Sequence, residues 1–465
     1  MNSTNISINK TTAYNVISTF LVQGITFLTI PVFTRVMGKD QYGLYSVIFS
    51  WVILFAGVMD LGVSSTVGTG RYRFQVDYTE FRTNVLKLIL GFGAVSTVVL
   101  FGISRIFPGI WGYSPLLMLS ILLMALGRTV VTFTQTCLIY EKKAGRNVIL
   151  SLILVGSTVT LSLLGVFLFE PSERYIGKFG GEMIPYVCIA AAISLFLLIR
   201  HPAGWNREHI RFAVTVGLPI IFHELARNVL NQSDRVMMRW MDQPDGDIGI
   251  YSLFFSLASV LNVVLLALNN SWCPFYYDDL SEKNDESLRK KTRNYVELFS
   301  VLTVGFLLVS REVGYLMADD SYSEGRNLVP VFVIAIFCIF VYMFYVNAEF
   351  FYRKTVLVAV GSAMAAFINV GLNYLMIDRF GMYGAAIATT IAYGMLALFH
   401  YVCVRWILKL KAGLKWQYLI FGTVCLTLGV LAYYYLESWA VPRWGMAVAI
   451  GAFELIRIIR RKTIF

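Results

Sequence analysis

The segment HELARNVLNQSDR, His223 to Arg235, carries one histidine, two carboxylates, two arginines and two asparagines directly after the apolar run AVTVGLPIIF (213–222). As a surface loop it would merely interrupt a hydrophobic chain. As a helix it would take charge through a bilayer. Which reading holds fixes the topology of everything after it.

The rest of the chain supplies the frame. Of 465 residues, 57% are hydrophobic and only 14% are charged. Soluble domains carry about 25% charged residues, so this composition implies an integral membrane protein. The six cysteines are scattered through apolar runs with no CxxC, and read as small core residues. A net charge of +11 is met in nucleic-acid binders. In a membrane chain it reflects Lys and Arg kept on cytoplasmic loops, and no nucleic-acid partner is expected. Lys10 is the one cation before the first apolar run, and no small-residue cleavage site follows, so that run reads as a span rather than a signal peptide.

A span needs about 20 mostly apolar residues. Candidates lie near 12–34, 42–66, 84–104, 115–138, 148–169, 183–199, 212–238, 248–272, 294–317, 328–352, 355–377, 384–404, 417–436 and 445–459. The expected fold is an all-α polytopic membrane protein of about fourteen helices. The last is the weakest, because it holds Glu454 and Arg457. Connecting segments alternate in charge. GRYRFQVDYTEFR, EKKAGR, RHPAGWNREHIR, SEKNDESLRKKTR and RWILKLKAGLK are basic. EPSERYIGKFGGE, MDQPDGD and ADDSYSEGRN are among the alternating set, which is poorer in cations. Roughly two dozen Lys and Arg on one side face about nine on the other, which assigns the first side and both termini to the cytoplasm.

This parity decides the opening segment. The basic loops at 200–211 and 281–293 both belong in the cytoplasm, so two crossings must separate them. One is 248–272; the other can only be 212–238. A repeat supports the same frame. Arg35-Val36-Met37 followed by Gly43-Leu44-Tyr45-Ser46 recurs as Arg235-Val236-Met237 followed by Gly249-Ile250-Tyr251-Ser252. Spans one and seven run in the same direction, so the repeat is parallel, a pattern of two-lobed transporters. The expected organisation is an N-terminal lobe at 1–199, a cytoplasmic linker at 200–211, a second six-helix lobe at 212–404, and two further helices with a tail at 405–465.

Ionisable groups inside spans cost several kcal/mol unless they face a bundle interior or a watery cavity. At 100° per residue, His223, Glu224, Arg227, Asn228, Asn231, Asp234 and Arg235 share an arc of about 140°. That face suits a cavity wall for anions, because arginine donates paired hydrogen bonds to phosphate. The alternative is internal neutralisation, as by Glu224 with Arg227 three residues apart. Span four adds Arg128, Thr132 and Gln135, with snorkelling or a backbone carbonyl as the alternative for Arg128. Asp60 in span two either pairs with Arg128 or joins Glu224 and Asp234 as a carrier of coupling H⁺ or Na⁺. Asn15, Thr19, Gln23 and Thr26 make a polar row in span one; Asn369 and Asn373 read as interhelical hydrogen-bonding groups. There is no GxxxxGK[ST], no HExxH and no Cys/His cluster, so neither ATP hydrolysis nor a metal site is expected. The longest loop, near 273–293, is too short for a catalytic domain, and the chain reads as a transporter rather than an enzyme.

Four stretches resemble a known family. IPVFTRVMGKDQYGLYSVIFSWVILFAGVMDLGV (30–63), SDRVMMRW (233–240) with GIYSLFFSLA, NNSWCPFYYDD (269–279) and AAFINVGLNYLMIDRFGMYGAAIATTIAYG (365–394) are similar to the signatures of Wzx-type polysaccharide repeat-unit flippases, a branch of the MATE-like exporter superfamily. The resemblance implies two six-helix lobes around a cationic, lipid-open cavity in the bacterial cytoplasmic membrane. It implies transport of an undecaprenyl-pyrophosphate-linked oligosaccharide, for O-antigen, capsule or exopolysaccharide, with a polymerase and glycosyltransferases as pathway partners. No cofactor is implied beyond an ion gradient or membrane potential. On this sequence the cationic lumen maps to Arg128, His223, Arg227 and Arg235, with Gln135 and Asn231 beside them, and the acidic position closing the first signature is Asp60. Two other functions share the frame: a multidrug antiporter, whose cavity should be acidic and aromatic, and a flippase for a peptidoglycan or teichoic-type precursor.

Overall fold

The computed structural model describes residues 2–409, 413–461 and 463–465, with side chains from Gly24 onward. The row Asn15, Thr19 and Gln23 therefore lies outside the described side chains. Among the described residues every regular element is helical. The first run, Asn2–Asp60, breaks at Gly38, where φ is 73° and ψ 170°. This positive φ lies outside the helical basin and is cheap only for glycine. It divides the run into α1 (2–37) and α2 (39–60). A short helix, Val67–Arg73, leads to α3 (Tyr78–Ile106), α4 (Pro115–Tyr140), α5 (Ala144–Leu168), α6 (Arg174–Arg200), α7 (Arg207–Trp240), α8 (Asp245–Ser281), α9 (Asp285–Met317) and α10 (Leu328–Phe351). The run Thr355–Val402 breaks at Gly381 into α11 (355–380) and α12 (382–402). Then come α13 (Trp416–Tyr435) and α14 (Ala440–Arg461). All fourteen expected spans fall on these helices. Ten of the runs are long and apolar enough to cross a membrane, the two broken ones included.

Three expected loops are shorter than the charge pattern implied. The stretch near 273–293 is helical except around 282–284, because Asn284 caps α9 by accepting from the Ser287 N–H at 3.1 Å. Most of EPSERYIGKFGGE belongs to α6, which starts at Arg174. The linker at 200–211 reduces to 201–206 between α6 and α7. In each case charges counted as loop residues sit on helix ends.

The repeat has a structural counterpart. Tyr45 stacks on Phe49 with ring centroids 5.7 Å apart, and Tyr251 stacks on Phe255 at 6.2 Å. Both tyrosines are buried. The second copy has a longer junction between its two blocks, and there the helices are joined by a turn through Asp242 (φ 55°) instead of a glycine kink.

By contact, the chain divides into Met1–Val236 and Met237–Phe465. The division falls inside α7, beyond the 200–211 linker after which the second lobe is expected. The reason is how closely α7 lies on the end of α2. A Cβ on Gly62 (φ 68°) would meet the Gly217 carbonyl oxygen at 2.4 Å, and one on Gly57 would meet Asn228 Nδ2 at 2.7 Å. Ser50 Oγ donates to Gln232 Oε1 at 3.0 Å farther along. In the first unit α5 and α6 also touch backbone to backbone at Gly165, Gly177 and Gly181. A core of Val63, Phe81, Leu86, Ile89, Val130 and Phe133 closes one end of that unit.

In the second unit Trp272 is the hub, stacked on Tyr276 at 4.4 Å and packed on Phe344 at 4.8 Å and Tyr295 at 5.0 Å. Both α13 and α14 pack on α9. The charges that made α14 the weakest span are what bind it there. Arg457 donates to Glu297 and to Glu454, each at 2.6 Å. Toward the opposite end of α14, buried Arg443 meets Glu312 at 2.5 Å.

Gly181→Ala places a methyl 2.3 Å from the Ser162 backbone, whereas Gly180→Ala meets nothing within 4 Å. The first should destabilise the purified protein by about 1–3 kcal/mol, as overpacking does. The second should be neutral or slightly stabilising. Thermal melts in detergent separate the two, and equal melting temperatures would refute the close α5–α6 contact.

Candidate functional site

Helix α7 runs unbroken through HELARNVLNQSDR, so the opening segment is helical. Its two faces are distinct. Leu225, Asn228 and Gln232 turn to α2. The arc of Glu224, Arg227, Asn231 and Arg235 lies beside that contact face and forms a ladder. Arg227 holds Glu224 through Nη2 at 2.6 Å and Nε at 3.2 Å. Asn231 Nδ2 donates to the Arg227 carbonyl at 2.9 Å, and Arg235 Nη1 donates to the Asn231 carbonyl at 3.0 Å. The internal Glu224–Arg227 pair is thus real, yet it leaves the Arg227 side chain 56% exposed. Arg235 and Asp234 are buried at 6% and 0% exposure, and His223 is half-buried. Along one helix the charges therefore pass from accessible to enclosed.

Asp60 does not pair with Arg128. Its carboxylate accepts from Ser64 Oγ at the turn that follows α2, and Glu224 is the nearby like charge. Arg128 instead lies over two rings, 5.4 Å from the Phe49 centroid and 5.8 Å from Tyr186, with Nη1 3.4 Å from the Tyr186 hydroxyl. Aromatic faces offset part of the cost of burying a guanidinium without taking it as a carboxylate would. Gln135 donates to Ser151 of α5 at 3.0 Å, and Thr132 between them is exposed. The expected stripe on α4 therefore splits: Arg128 faces α2 and α6, while Gln135 ties α4 to α5. Asn369 does bond across helices, to Thr389 Oγ1 of α12 at 3.0 Å, and Asn373 bonds to Asn369 at 3.3 Å.

Next to Arg128 lies a pair that the loop assignment hid. Lys178 Nζ meets Glu182 Oε1 at 2.7 Å, and Tyr45 Oη donates to both Glu182 oxygens at 2.8 and 2.9 Å. The same ammonium sits 3.9 Å from the Phe33 centroid and 4.1 Å from that of Tyr45. Their i, i+4 spacing is the signal in the sequence, and reading 170–182 as a loop hides it. Among the described residues no His, Cys, Asp and Glu group could hold a metal.

Residues 8–276 match the family described as polysaccharide biosynthesis protein. The chain belongs to that family. It is 20% identical over 378 residues to an uncharacterized membrane protein of Haemophilus influenzae, covering 79% of this chain and 89% of the relative. To protein 1 of the Lsg locus of the same organism it is 21% identical over 356 residues, covering 74% and 85%. Its fold is similar to that of the lipid II flippase MurJ, with TM-score 0.73, 12% identity, and 96% and 99% of the two chains covered. A MATE-family transporter of the MOP superfamily shares it at TM-score 0.60 and 15% identity, covering 83% and 98%. The family match and this fold bear out the resemblance to Wzx-type flippases. This family member is a multi-pass membrane protein with the architecture of MOP transporters.

Breaking one partner of the buried Lys178–Glu182 pair leaves an uncompensated charge, a loss of about 3–5 kcal/mol. Lys178→Met and Glu182→Gln should each destabilise strongly, and the double variant should be more stable than the sum of the two implies. A double-mutant cycle on thermal melts reads this coupling, expected at about 1–3 kcal/mol. Strict additivity would show that the pair does not form.

Proposed function

We propose that this protein is a flippase for oligosaccharide repeat units carried on undecaprenyl pyrophosphate, moving them from the inner to the outer leaflet of the bacterial cytoplasmic membrane. The observation that carries the reading is the state of Arg227. It is the cation of the α7 arc held by a single neighbouring carboxylate and still half exposed. A guanidinium of this kind can exchange its carboxylate for a phosphate, which accepts the same paired hydrogen bonds. Arg128, seated on rings, and Arg235, enclosed about two turns farther along α7, supply the remaining positive bias.

The substrate chemistry asks for this arrangement. A lipid-linked oligosaccharide has an anionic, polar head and an apolar tail, so its carrier needs a cationic polar path open to lipid. Two related lobes provide alternating access by rocking. The membership in a polysaccharide biosynthesis family favours a glycan repeat unit over a peptidoglycan or teichoic-type precursor. Arginines where a cationic drug would need carboxylates weigh against a multidrug antiporter. Undecaprenyl-linked glycan and lipid are the partners of this reading, and a polymerase and glycosyltransferases act on either side of the step. Both termini lie in the cytoplasm by the positive-inside rule. The energy comes from the membrane, at about 2.3 kcal/mol per charge per 100 mV. Asp60, Glu224 and Asp234 are the groups to carry a coupled H⁺ or Na⁺. Glu224 is the most direct, since protonating it releases Arg227.

Deleting the gene should trap lipid-linked repeat units on the inner leaflet and abolish surface polysaccharide. Unchanged polysaccharide with no precursor build-up would refute the reading. At equal membrane abundance, Arg227→Ala should cut export about tenfold or more, the worth of one charge-assisted hydrogen bond, and Arg227→Lys should restore part of it. Full export from both Arg227→Ala and Arg128→Ala would remove the cationic path.

A further inference from the structure

At the end of the first unit that carries the basic loops, a cavity of about 650 Å³ opens between α3, α4, α5 and α6. Its polar wall holds Arg82, Lys143, Arg146, Arg200 and His201 against a single carboxylate, Glu141. Glu141 is already committed. It accepts from Arg82 at 2.7 Å and from Lys143 at 2.6 Å, with its side chain only 6% exposed. Arg146 and Arg200 have no carboxylate partner among the described residues, and both are exposed. The rest of the lining is mostly apolar and comes from α4 and α6; Phe196, one helical turn before Arg200 on α6, is 62% exposed. None of these residues belongs to α7 or to the Arg128 cluster.

We propose that this groove binds the phosphate of a membrane lipid, with the guanidinium groups of Arg146 and Arg200 on the phosphate and the lipid chain along Phe196. Four cations around one neutralised carboxylate leave excess positive charge in a concave site, where a solvated surface would spread it. The polar wall meets the apolar lining, as a headgroup meets its chain. Basic pockets between membrane helices are suited to anionic headgroups, and two arginines can donate forked hydrogen bonds to phosphate oxygens. The phosphate has two possible sources: an anionic phospholipid resident in the bilayer, or the pyrophosphate of an isoprenoid carrier.

The test uses the full-length protein in nanodiscs and native mass spectrometry, with phosphatidylglycerol, phosphatidylcholine and farnesyl pyrophosphate as probes. Arg146→Gln/Arg200→Gln is compared with Arg105→Gln/Arg379→Gln, which removes the same charge outside the groove. All four positions are exposed, and melting curves check folding. Wild type should prefer phosphatidylglycerol to phosphatidylcholine, and the groove variant alone should lose about tenfold in that preference. Loss of farnesyl pyrophosphate binding alone in the groove variant would also support the site and assign it to the carrier lipid. Equal loss in both variants, or no loss in either, would overturn the proposal.

Discussion

The structure is organised by the cost of placing an ionisable side chain where water is scarce. A lone charge in the hydrocarbon region is expensive, so such groups are rare, paired and turned inward. This chain follows the rule in each unit. Lys178 meets Glu182 under the rings of Tyr45 and Phe33. His400 and Glu349 lie 2.9 Å apart with no exposure. Arg443 and Arg457 tie α14 to α9 near opposite ends. A helix that looks too polar to cross a membrane thus becomes secure once its partner helix supplies the counter-charge.

The same rule separates structural charge from functional charge. In the second unit the enclosed His400 and Glu349 join α12 to α10, and buried Arg443 joins α14 to α9. Helix α7 differs because its charges form a gradient along one arc. Asp234 and Arg235 are enclosed, and Glu224 and Arg227 remain accessible. The close approach at Gly57, Gly62 and Gly217 turns the neighbouring face of α7 to α2 and so leaves most of this arc beside the contact.

The signatures that reveal the family are packing motifs. In NNSWCPFYYDD, Asn269 accepts from Asn347 at 2.8 Å, Trp272 and Tyr276 form the aromatic hub, and Asp279 holds Lys291 at 2.9 Å. In the 365–394 stretch, Asn369 and Thr389 join α11 to α12, and a Cβ on Gly384 would lie 2.1 Å from the Met376 carbonyl oxygen. Motifs of this kind specify how helices dock. They carry the fold and the family, and they leave the identity of the glycan to other positions.

Hydrophobic length, loop charge and a duplicated block are enough, from sequence alone, to place fourteen helices and to put His223–Arg235 on one of them. These are one-dimensional properties, set by bilayer thickness and by the side on which cations are retained. The partners of each charge were not legible. Asp60 sits four residues from Ser64, its partner, while the sequence offers Arg128 or a coupling ion for it; Lys178 and Glu182 read as loop charges; Gln135 falls in one stripe with Arg128 although it bonds to α5. Which residues meet depends on helix rotation and on how closely backbones approach, and glycines such as Gly62 and Gly181 set that approach. A linear pattern shows that a helix has a polar face, whereas only the packed neighbours determine which of its charges are already satisfied and which remain open to a ligand.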